Sequence, residues 1–346
     1  MSGGVDSSVS AALLLEQGYQ VSGVFMKNWE EDDDDECDAA QDLADTEAVC
    51  KTLGISLRTV NFSYEYWERV FVGFLEDLKR GDTPNPDVIC NAEIKFREFP
   101  QWAAKLGADF VATGHYARIL SRDGHTVLLR GADKSKDQTY FLYGVKPDAL
   151  SKAIFPVGEM TKTEVRQMAK KLGLDNCDKK GSTGICFIGR RNFSSFIQRF
   201  VDSTEGDTVD LNGRVIGRHK GAFLYTIGQR TGLGIGGAGQ PWYVADKNVR
   251  TNTIVAVQGR DHPSLFKRQV RARQANWICP NPSPVREVSA KVRYQGRSEP
   301  CVITLKDEGC VSVEFQSPVR AVTPGQSIVF YDGEICLGGA IIDTAH

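Results

Sequence analysis

The sequence predicts an α/β protein: a parallel sheet with helices on both faces, followed by two small β-rich domains, the last of them a barrel. Two observations predict this. Helical and strand patterns alternate up to about residue 200, and beyond it short β-rich runs are separated by Gly, Pro, Asn and Asp. The 346 residues are enough for two or three domains. We expect these domains at 1–200, 201–265 and 266–346.

The first helix is predicted over 6–17, where Val9, Ala12 and Leu13 recur at helical spacing and Gly18 ends the pattern. The acidic run over 30–38, with eight acids in nine residues, is expected to be a solvated loop. Later elements follow the same reasoning: strands over 19–26, 56–62 and 109–113, helices over 42–53, 64–80 and 161–173, a hairpin at Asp123-Gly124, and an irregular stretch over 82–90 containing two prolines.

Composition narrows the function classes. The chain is 41% hydrophobic and 25% charged, with a formal net charge of −2. This balance excludes a uniformly basic nucleic-acid coat but not a local basic face. There is no apolar run of 18 residues and no signal-peptide pattern, so we expect a cytoplasmic protein that does not associate with a membrane. We also expect the protein to be a monomer. Nine cysteines cannot all pair, and reactive or buried thiols are expected rather than a disulfide framework.

The strongest motif lies at the start: Ser2, Gly3, Gly4, Val5, Asp6, Ser7 and Ser8 run into the first helix. Glycines allow the backbone to approach an anion closely, and a helix N-terminus favours negative charge. We therefore predict a phosphate-binding loop, with Asp6 a candidate to help hold Mg²⁺. No hydrophobic strand precedes the loop, so we expect a weakened site or a less stable domain. The G-x-G-x-x-G string over 234–239 is not expected to bind a dinucleotide, because a strand pattern follows it.

Two cysteines have unusual surroundings. Cys90 precedes a predicted helix, whose dipole favours the thiolate, and Asp87 lies three residues before it. Cys186 lies in a glycine-rich segment that two arginines follow. Cys177 is the best rival to Cys186. Cys177 itself and the other cysteines, at 37, 50, 279, 301, 310 and 336, are expected to be small buried hydrophobes.

The chain resembles the tRNA-specific 2-thiouridylases, which belong to the ATP pyrophosphatases. The resemblance is carried by SGGVDSS at 2–8, FMKNW at 25–29, TPNPDVICN at 83–91, ATGHY at 112–116, KDQ at 136–138, STGICFIG at 182–189, YTIGQR at 225–230, PWYV at 241–244 and PGQ at 324–326. These motifs span nearly the whole chain. Gly181 and Arg190 depart from the pattern, since acidic residues are expected there.

The resemblance implies ATP-dependent 2-thiolation of the wobble uridine of tRNA. It implies Cys90 as the nucleophile, Cys186 as the persulfide carrier and Asp87 as general acid or base. The implied ATP site comprises residues 2–8 with Met26 and Gly114, and ATP brings Mg²⁺. The implied tRNA contacts are Asn85, Pro86, Asp87, His115, Lys136, Asp137, Gln138, Arg293, Tyr294 and Gln326. The implied partners are tRNAs for Lys, Glu and Gln and an upstream persulfide donor protein.

Two alternatives stay open. The same phosphate loop serves amide-forming ligases, which need no paired loop cysteines. A non-enzymatic RNA-binding protein could keep a vestigial nucleotide loop. RNA binding itself is favoured by residues 260–299, which hold nine Lys or Arg against three acids.

Overall fold

The computed structural model describes residues 1–30, 38–179, 192–279 and 284–346. The first part contains helices and short parallel strand pairs. Its helices are α1 (Val5–Glu16), α2 (Asp38–Leu53), α3 (Ser63–Tyr66), α4 (Val72–Arg80), α5 (Pro86–Ile89), α6 (Phe99–Lys105), α7 (Thr139–Leu142), α8 (Pro147–Leu150), α9 (Lys162–Lys171) and α10 (Phe193–Ile197). Two π-helical segments, Trp67–Phe71 and Cys90–Glu98, join α3 to α4 and α5 to α6.

The strands of this part are β1 (Ser22–Lys27), β2 (Ser56–Asn61), β3 (Val111–Ala112), β4 (Ala117–Arg122), β5 (His125–Arg130) and β6 (Ala153–Ile154). β1 pairs with β2 and β3 with β6, both in parallel, as the alternating pattern predicts. β4 and β5 form the hairpin predicted at Asp123-Gly124. Helix α9 begins with the predicted capping box, in which Thr161 and Glu164 each bond the other's backbone.

The stretch over 82–90 is not irregular throughout, and that prediction was wrong from Pro86 onward. Pro86 occupies the first turn of α5, where a missing N–H costs nothing and the fixed φ suits a helix. Asn85 caps this helix, its Oδ1 accepting a bond from the Asp87 N–H at 3.2 Å. The chain is therefore helical from Pro86 to Lys105, and Cys90 lies in the second turn.

The middle part is a four-stranded sheet in the order β8-β7-β10-β9, formed by β7 (Gly206–Val209), β8 (Val215–His219), β9 (Trp242–Asn248) and β10 (Thr253–Gln258). A 3₁₀ helix covers Ala222–Leu224. Leu224 of this 3₁₀ helix, Val244 of β9 and Ile254 of β10 are apolar residues of the middle part. They share one hydrophobic cluster with Phe74 and Leu78 of α4. The middle sheet is therefore packed directly against the end of α4.

The last part is a closed barrel, as predicted. Its strands are β11 (Phe266–Trp277), β12 (Val285–Lys291), β13 (Glu299–Leu305), β14 (Val311–Arg320), β15 (Ser327–Asp332) and β16 (Ile335–Ala345), with 3₁₀ turns at Pro263–Leu265 and Asp307–Gly309. The order is β11-β14-β13-β12-β15-β16, and β16 pairs back to β11. β16 also pairs with β5, so the β4–β5 hairpin extends the barrel sheet.

Within the described ranges, none of the helices has the length and apolarity needed to cross a bilayer.

Candidate active site

The predicted phosphate loop lies at the N-terminus of α1 and is held from two sides. Gly3 has φ +66°, and a Cβ there would lie 2.6 Å from the Asp42 carbonyl oxygen of α2. On the other side, the buried Asn176 Nδ2 donates to the Gly3 carbonyl at 3.0 Å and to Ser8 Oγ at 2.9 Å. The loop is thus anchored by α2 and Asn176, and Asn176 was not among the residues predicted from the sequence.

Asp6 is engaged by two donors. Lys162 Nζ, from the first turn of α9, lies 2.7 Å from both carboxylate oxygens, and the Tyr116 hydroxyl donates to Oδ1 at 2.7 Å. Burial, followed by the bond to Asp6, raises the pKa of Tyr116 far above its usual range, so this hydroxyl keeps its proton. One signal in the sequence could have pointed to Lys162: a lysine in the first turn of a helix opposes the helix dipole and needs another reason to be there.

Gly114 approaches the loop more closely than any side chain would allow. A Cβ on Gly114 would lie 2.7 Å from the Asp6 carbonyl carbon and 2.8 Å from the Ser7 nitrogen. Met26, near the end of β1, is half-buried against the neighbouring hydrophobic cluster. Gly114 therefore lies at the loop, while Met26 lies on β1, the strand that follows the loop helix in the chain.

The residues of the predicted phosphate loop are better suited to bind a polyphosphate than to coordinate a divalent metal ion. A 12-residue helix offers its first-turn N–H groups, and Ser2 and Ser7 add hydroxyls, whereas the Ser8 hydroxyl is buried and bonded to Gly4 and Asn176. The Asp6 carboxylate is already bonded to an ammonium and a hydroxyl. Among the residues that the structure describes, no group of three His, Cys, Asp or Glu side chains is placed to hold a metal. Asp6 therefore does not fit the role of a Mg²⁺ ligand in this arrangement.

Cys90 lies in the continuous helix that starts at Pro86, and only 2% of its surface is exposed. The helix dipole acts mainly on the first turn, so its effect on Cys90 is smaller than the sequence pattern suggested. The neighbouring Asn91 Nδ2 donates to the Phe141 carbonyl at 3.1 Å and ties this turn to α7. Cys186, Gly181 and Arg190 lie outside the described residues, as does Cys37.

The remaining thiols mostly follow the expectation of small buried hydrophobes. Cys50, Cys301 and Cys336 are buried, and Cys279, Cys310 and Cys177 are half-buried. Burial raises the pKa of Cys301 to about 12 and that of Cys336 higher still. Such thiols stay protonated at neutral pH and are poor nucleophiles.

Several residues proposed to contact tRNA are engaged inside the protein. His115 is buried between Phe96 and Phe155, and burial lowers its pKa to about 3, so it is neutral. Asp137 is buried and accepts a bond from Arg130 at 3.1 Å. Lys136, by contrast, is exposed. Gln138 accepts a hydrogen bond from the Tyr116 N–H, and Tyr294 packs on Phe141. Arg293 donates to the Ala321 carbonyl and Gln326 to the Thr83 carbonyl.

The barrel pairs part of the basic window with acids from elsewhere in the chain. Arg268 lies near Glu314, Arg271 near Asp343, Arg273 near Asp82 and Asp343, and Arg286 near Asp332. The excess of six positive charges counted over 260–299 therefore overstates the charge of this surface. Sequence counting missed these partners because none of the four acids lies within the window.

Family models match the chain in three places. A model described as "tRNA methyl transferase HUP domain" matches residues 1–190, "tRNA methyl transferase PRC-barrel domain" matches 194–258, and "Aminomethyltransferase beta-barrel domain" matches 267–342. These descriptions agree with the α/β part, the middle sheet and the barrel described above. The predicted fold class is thereby confirmed.

Curated relatives match over nearly their whole length. The chain is 54% identical over 352 aligned residues to tRNA-specific 2-thiouridylase MnmA of Pseudomonas aeruginosa (strain LESB58), covering 100% of this chain and 94% of that protein. It is 53% identical to the protein of the same name from Proteus mirabilis (strain HI4320), covering 99% and 96%. Among solved structures, NMN synthetase from Francisella tularensis is similar at 21% identity and a TM-score of 0.34, covering 56% of this chain and 68% of that one.

Proposed function

The chain belongs to the tRNA-specific 2-thiouridylase family, and from this premise we propose that it thiolates C2 of the wobble uridine of tRNA in an ATP-dependent reaction. The observation that carries the proposal is the 54% identity over the entire chain. The loop at the start of α1 supports it, because a reaction that activates an oxygen with ATP needs an anion-binding site. A tRNA substrate is consistent with action in the cytoplasm.

ATP supplies the leaving group. The O2 atom of uridine attacks the α-phosphorus, pyrophosphate departs, and the base oxygen becomes part of AMP, which leaves C2 far more readily than an oxide does. Ser2, Gly3, Gly4 and the first turn of α1 are proposed to bind the phosphates. Lys162 neutralises Asp6, so that this carboxylate does not repel them. We propose that Mg²⁺ arrives with ATP on its phosphate oxygens, since Asp6 is already occupied.

Sulfur transfer is proposed to use two thiols. The terminal sulfur of a persulfide on Cys186 attacks C2, and Cys90 then attacks the inner sulfur. The Cys186 S–S bond breaks, its electron pair stays with the transferred sulfur, AMP leaves, and a Cys90–Cys186 disulfide forms. An external thiol reductant reopens it. In the other route that the sequence left open, Cys90 releases free sulfide before the base is attacked.

Asp87 and Asn85 are proposed to meet the target base. Asn85 caps α5, Asp87 lies in its first turn, and Cys90 follows one turn later. This places an amide, a carboxylate and a thiol along one helical start, which suits an orienting group, a proton carrier and a nucleophile. A wobble base in a single-stranded loop can leave its stack at low cost.

The proposed partners are tRNAs for Lys, Glu and Gln and a protein that delivers the persulfide. Lys136, Arg293, Tyr294 and Gln326 are proposed as tRNA contacts together with His115, Asp137 and Gln138. Since most of these side chains have partners inside the protein, their contact with tRNA requires those internal bonds to be exchanged.

The test is transfer of ³⁵S from a persulfide donor into tRNA. Wild-type protein is expected to label tRNA and to release pyrophosphate only when tRNA is present. Cys90→Ser and Cys186→Ser are expected to abolish labelling while ATP affinity is unchanged, and Cys310→Ser serves as a control that keeps full labelling. Retained labelling in either active-site variant would falsify the two-thiol mechanism.

The same experiment separates the alternatives. An amide-forming ligase would release pyrophosphate without moving sulfur into tRNA. A binding protein with a vestigial loop would bind tRNA without releasing pyrophosphate at all. Either result would overturn the proposed reaction.

A further inference from the structure

The segment that leads into the Cys90 helix is held by parts of the chain far away in sequence. This segment, residues 81–85, will be called the Thr83 loop. It connects α4, whose C-cap is Gly81 with φ +93°, to Asn85, the N-cap of α5. It has no regular secondary structure of its own, so its shape depends on what surrounds it.

All three polar groups of Thr83 are bonded to the other two domains. Its N–H donates to the Pro324 carbonyl at 2.9 Å, and its carbonyl accepts from Gln326 Nε2 at 2.6 Å. Its hydroxyl accepts from Lys247 Nζ at 3.1 Å. The first two partners belong to the barrel and the third belongs to β9 of the middle sheet.

The contact with the barrel leaves no room for adjustment. A Cβ on Gly325, which has φ +85°, would lie 2.6 Å from the Thr83 nitrogen and 2.7 Å from Asp82 Cβ. Arg273 of β11 also lies 3.3 Å from the Asp82 carboxylate. The barrel turn therefore fixes the backbone of the Thr83 loop by direct packing as well as by hydrogen bonds.

Lys247 supplies the contact from the middle sheet. Its ammonium donates to the Tyr225 carbonyl at 2.8 Å as well as to Thr83 Oγ1. Burial lowers its pKa to about 8, with only the charge of Asp82 acting to raise it. Desolvating an ammonium that bonds only neutral oxygens costs free energy. This cost indicates that Lys247 has a structural role at this junction.

We propose that Lys247 is a positioning residue for thiolation: together with Pro324 and Gly325 of the barrel turn, whose contacts do not depend on the Gln326 side chain, it holds Thr83. Through Thr83 it sets the place of Asn85, Asp87 and Cys90. This inference rests on the proposed function for its catalytic consequence, but not for the clamp itself. Asp87 lies four positions after Thr83 in sequence, so a shift of the Thr83 loop is transmitted to the groups that meet the base.

The test uses the full-length protein and the variants Lys247→Met, Thr83→Val and the double variant. Thr83→Val removes only the hydroxyl and keeps both backbone bonds to the barrel. Each single variant is expected to lower the single-turnover thiolation rate at saturating ATP and tRNA by about tenfold, which is the effect of losing a hydrogen bond to a charged group. The double variant is expected to be no slower than either single one, because both remove the same contact.

Matched controls are Lys105→Met and Thr52→Val, both at exposed helical positions. They are expected to leave the rate unchanged. ATP affinity is expected to be the same in all variants, since the loop at α1 is not touched. Additive effects of the two substitutions, or unchanged rates, would overturn the proposal, and so would a parallel loss of ATP affinity and rate.

Amide deuterium exchange separates a failure of the clamp from a failure of the proposed function. In both single variants, the amides of Asp87–Cys90 are expected to exchange faster than in the wild type, with α1 unchanged. This readout does not require thiolation. If the wild-type protein does not thiolate tRNA but these amides still respond, the clamp stands and the proposed function is wrong; if these amides do not respond, the clamp is wrong.

Discussion

At the scale of single residues, the predicted phosphate loop depends on contacts that sequence proximity cannot show. The SGGVDSS string identified the loop because glycines, hydroxyls and a helix start follow one another within seven residues. Asn176 and Lys162 lie more than 150 residues away, and only the fold brings them to Ser8 and Asp6. Motif reasoning therefore predicted a loop that leads into a helix start, but not the side chains that hold it.

Lys162→Met is expected to weaken ATP binding by about tenfold or more. The substitution removes a cation bonded to both oxygens of Asp6 and leaves that carboxylate facing the phosphates with only the Tyr116 hydroxyl to offset its charge. Isothermal titration with ATP measures the effect.

The matched control is Lys170→Met on the same helix, where the lysine is exposed and pairs with Asp178. It should leave ATP affinity within twofold, because exposed ion pairs contribute little. Equal affinities for the Lys162 variant and the wild type would remove Lys162 from the nucleotide site.

At the scale of elements, the β4–β5 hairpin joins the first domain to the barrel. Its last residue, Arg130, stacks over the Tyr331 ring at 3.6 Å and donates to Ser298 Oγ at 2.6 Å, both in the barrel domain. Asp137 balances the Arg130 charge and also accepts from the Thr139 hydroxyl at 2.7 Å. The segment that resemblance assigned to tRNA thus also carries a buried ion pair at a domain junction.

Asp137→Ala is expected to destabilise the protein by about 3–5 kcal/mol, because it leaves the guanidinium of Arg130 buried without its carboxylate. Thermal unfolding followed by circular dichroism measures the change. Glu159→Ala is the comparison, since Glu159 is 73% exposed in its pair with Arg118 and its loss should cost less than about 1 kcal/mol. Similar unfolding temperatures for the two variants would contradict this role of Asp137.

Elements defined by local chemistry were predictable, and the others were not. The capping box at Thr161 and the Asp123-Gly124 turn are each encoded within four residues, and both form as predicted. Of the two prolines in 82–90, Pro86 misled, because proline ends a helix only in its interior and not in the first turn. The pairing of β5 with β16 joins residues some 200 positions apart and has no local signal.

At the scale of the whole molecule, the fold brings acidic side chains from distant parts of the chain next to arginines of the basic window over 260–299. Four arginines of the basic window have acidic neighbours, whereas Arg297 is exposed. Counterion release on tRNA binding should therefore come from the cations that lack such neighbours.

Arg297→Gln is expected to reduce the slope of log affinity for tRNA against log salt by about one, the contribution of one phosphate contact. Arg286→Gln, whose partner is Asp332, is expected to reduce it by less. Filter binding between low and moderate salt measures both slopes. A wild-type affinity that does not change with salt would exclude the barrel surface as a phosphate-binding face.

The pairing of β5 with β16 also bears on how this protein could have been assembled. A gene segment encoding only the first two domains would leave the backbone amides and carbonyls of β5 along a bare strand edge, which favours aggregation. The barrel would lose its neighbouring strand in the same cut. A foreign barrel put in its place would therefore have to offer a strand that pairs with β5.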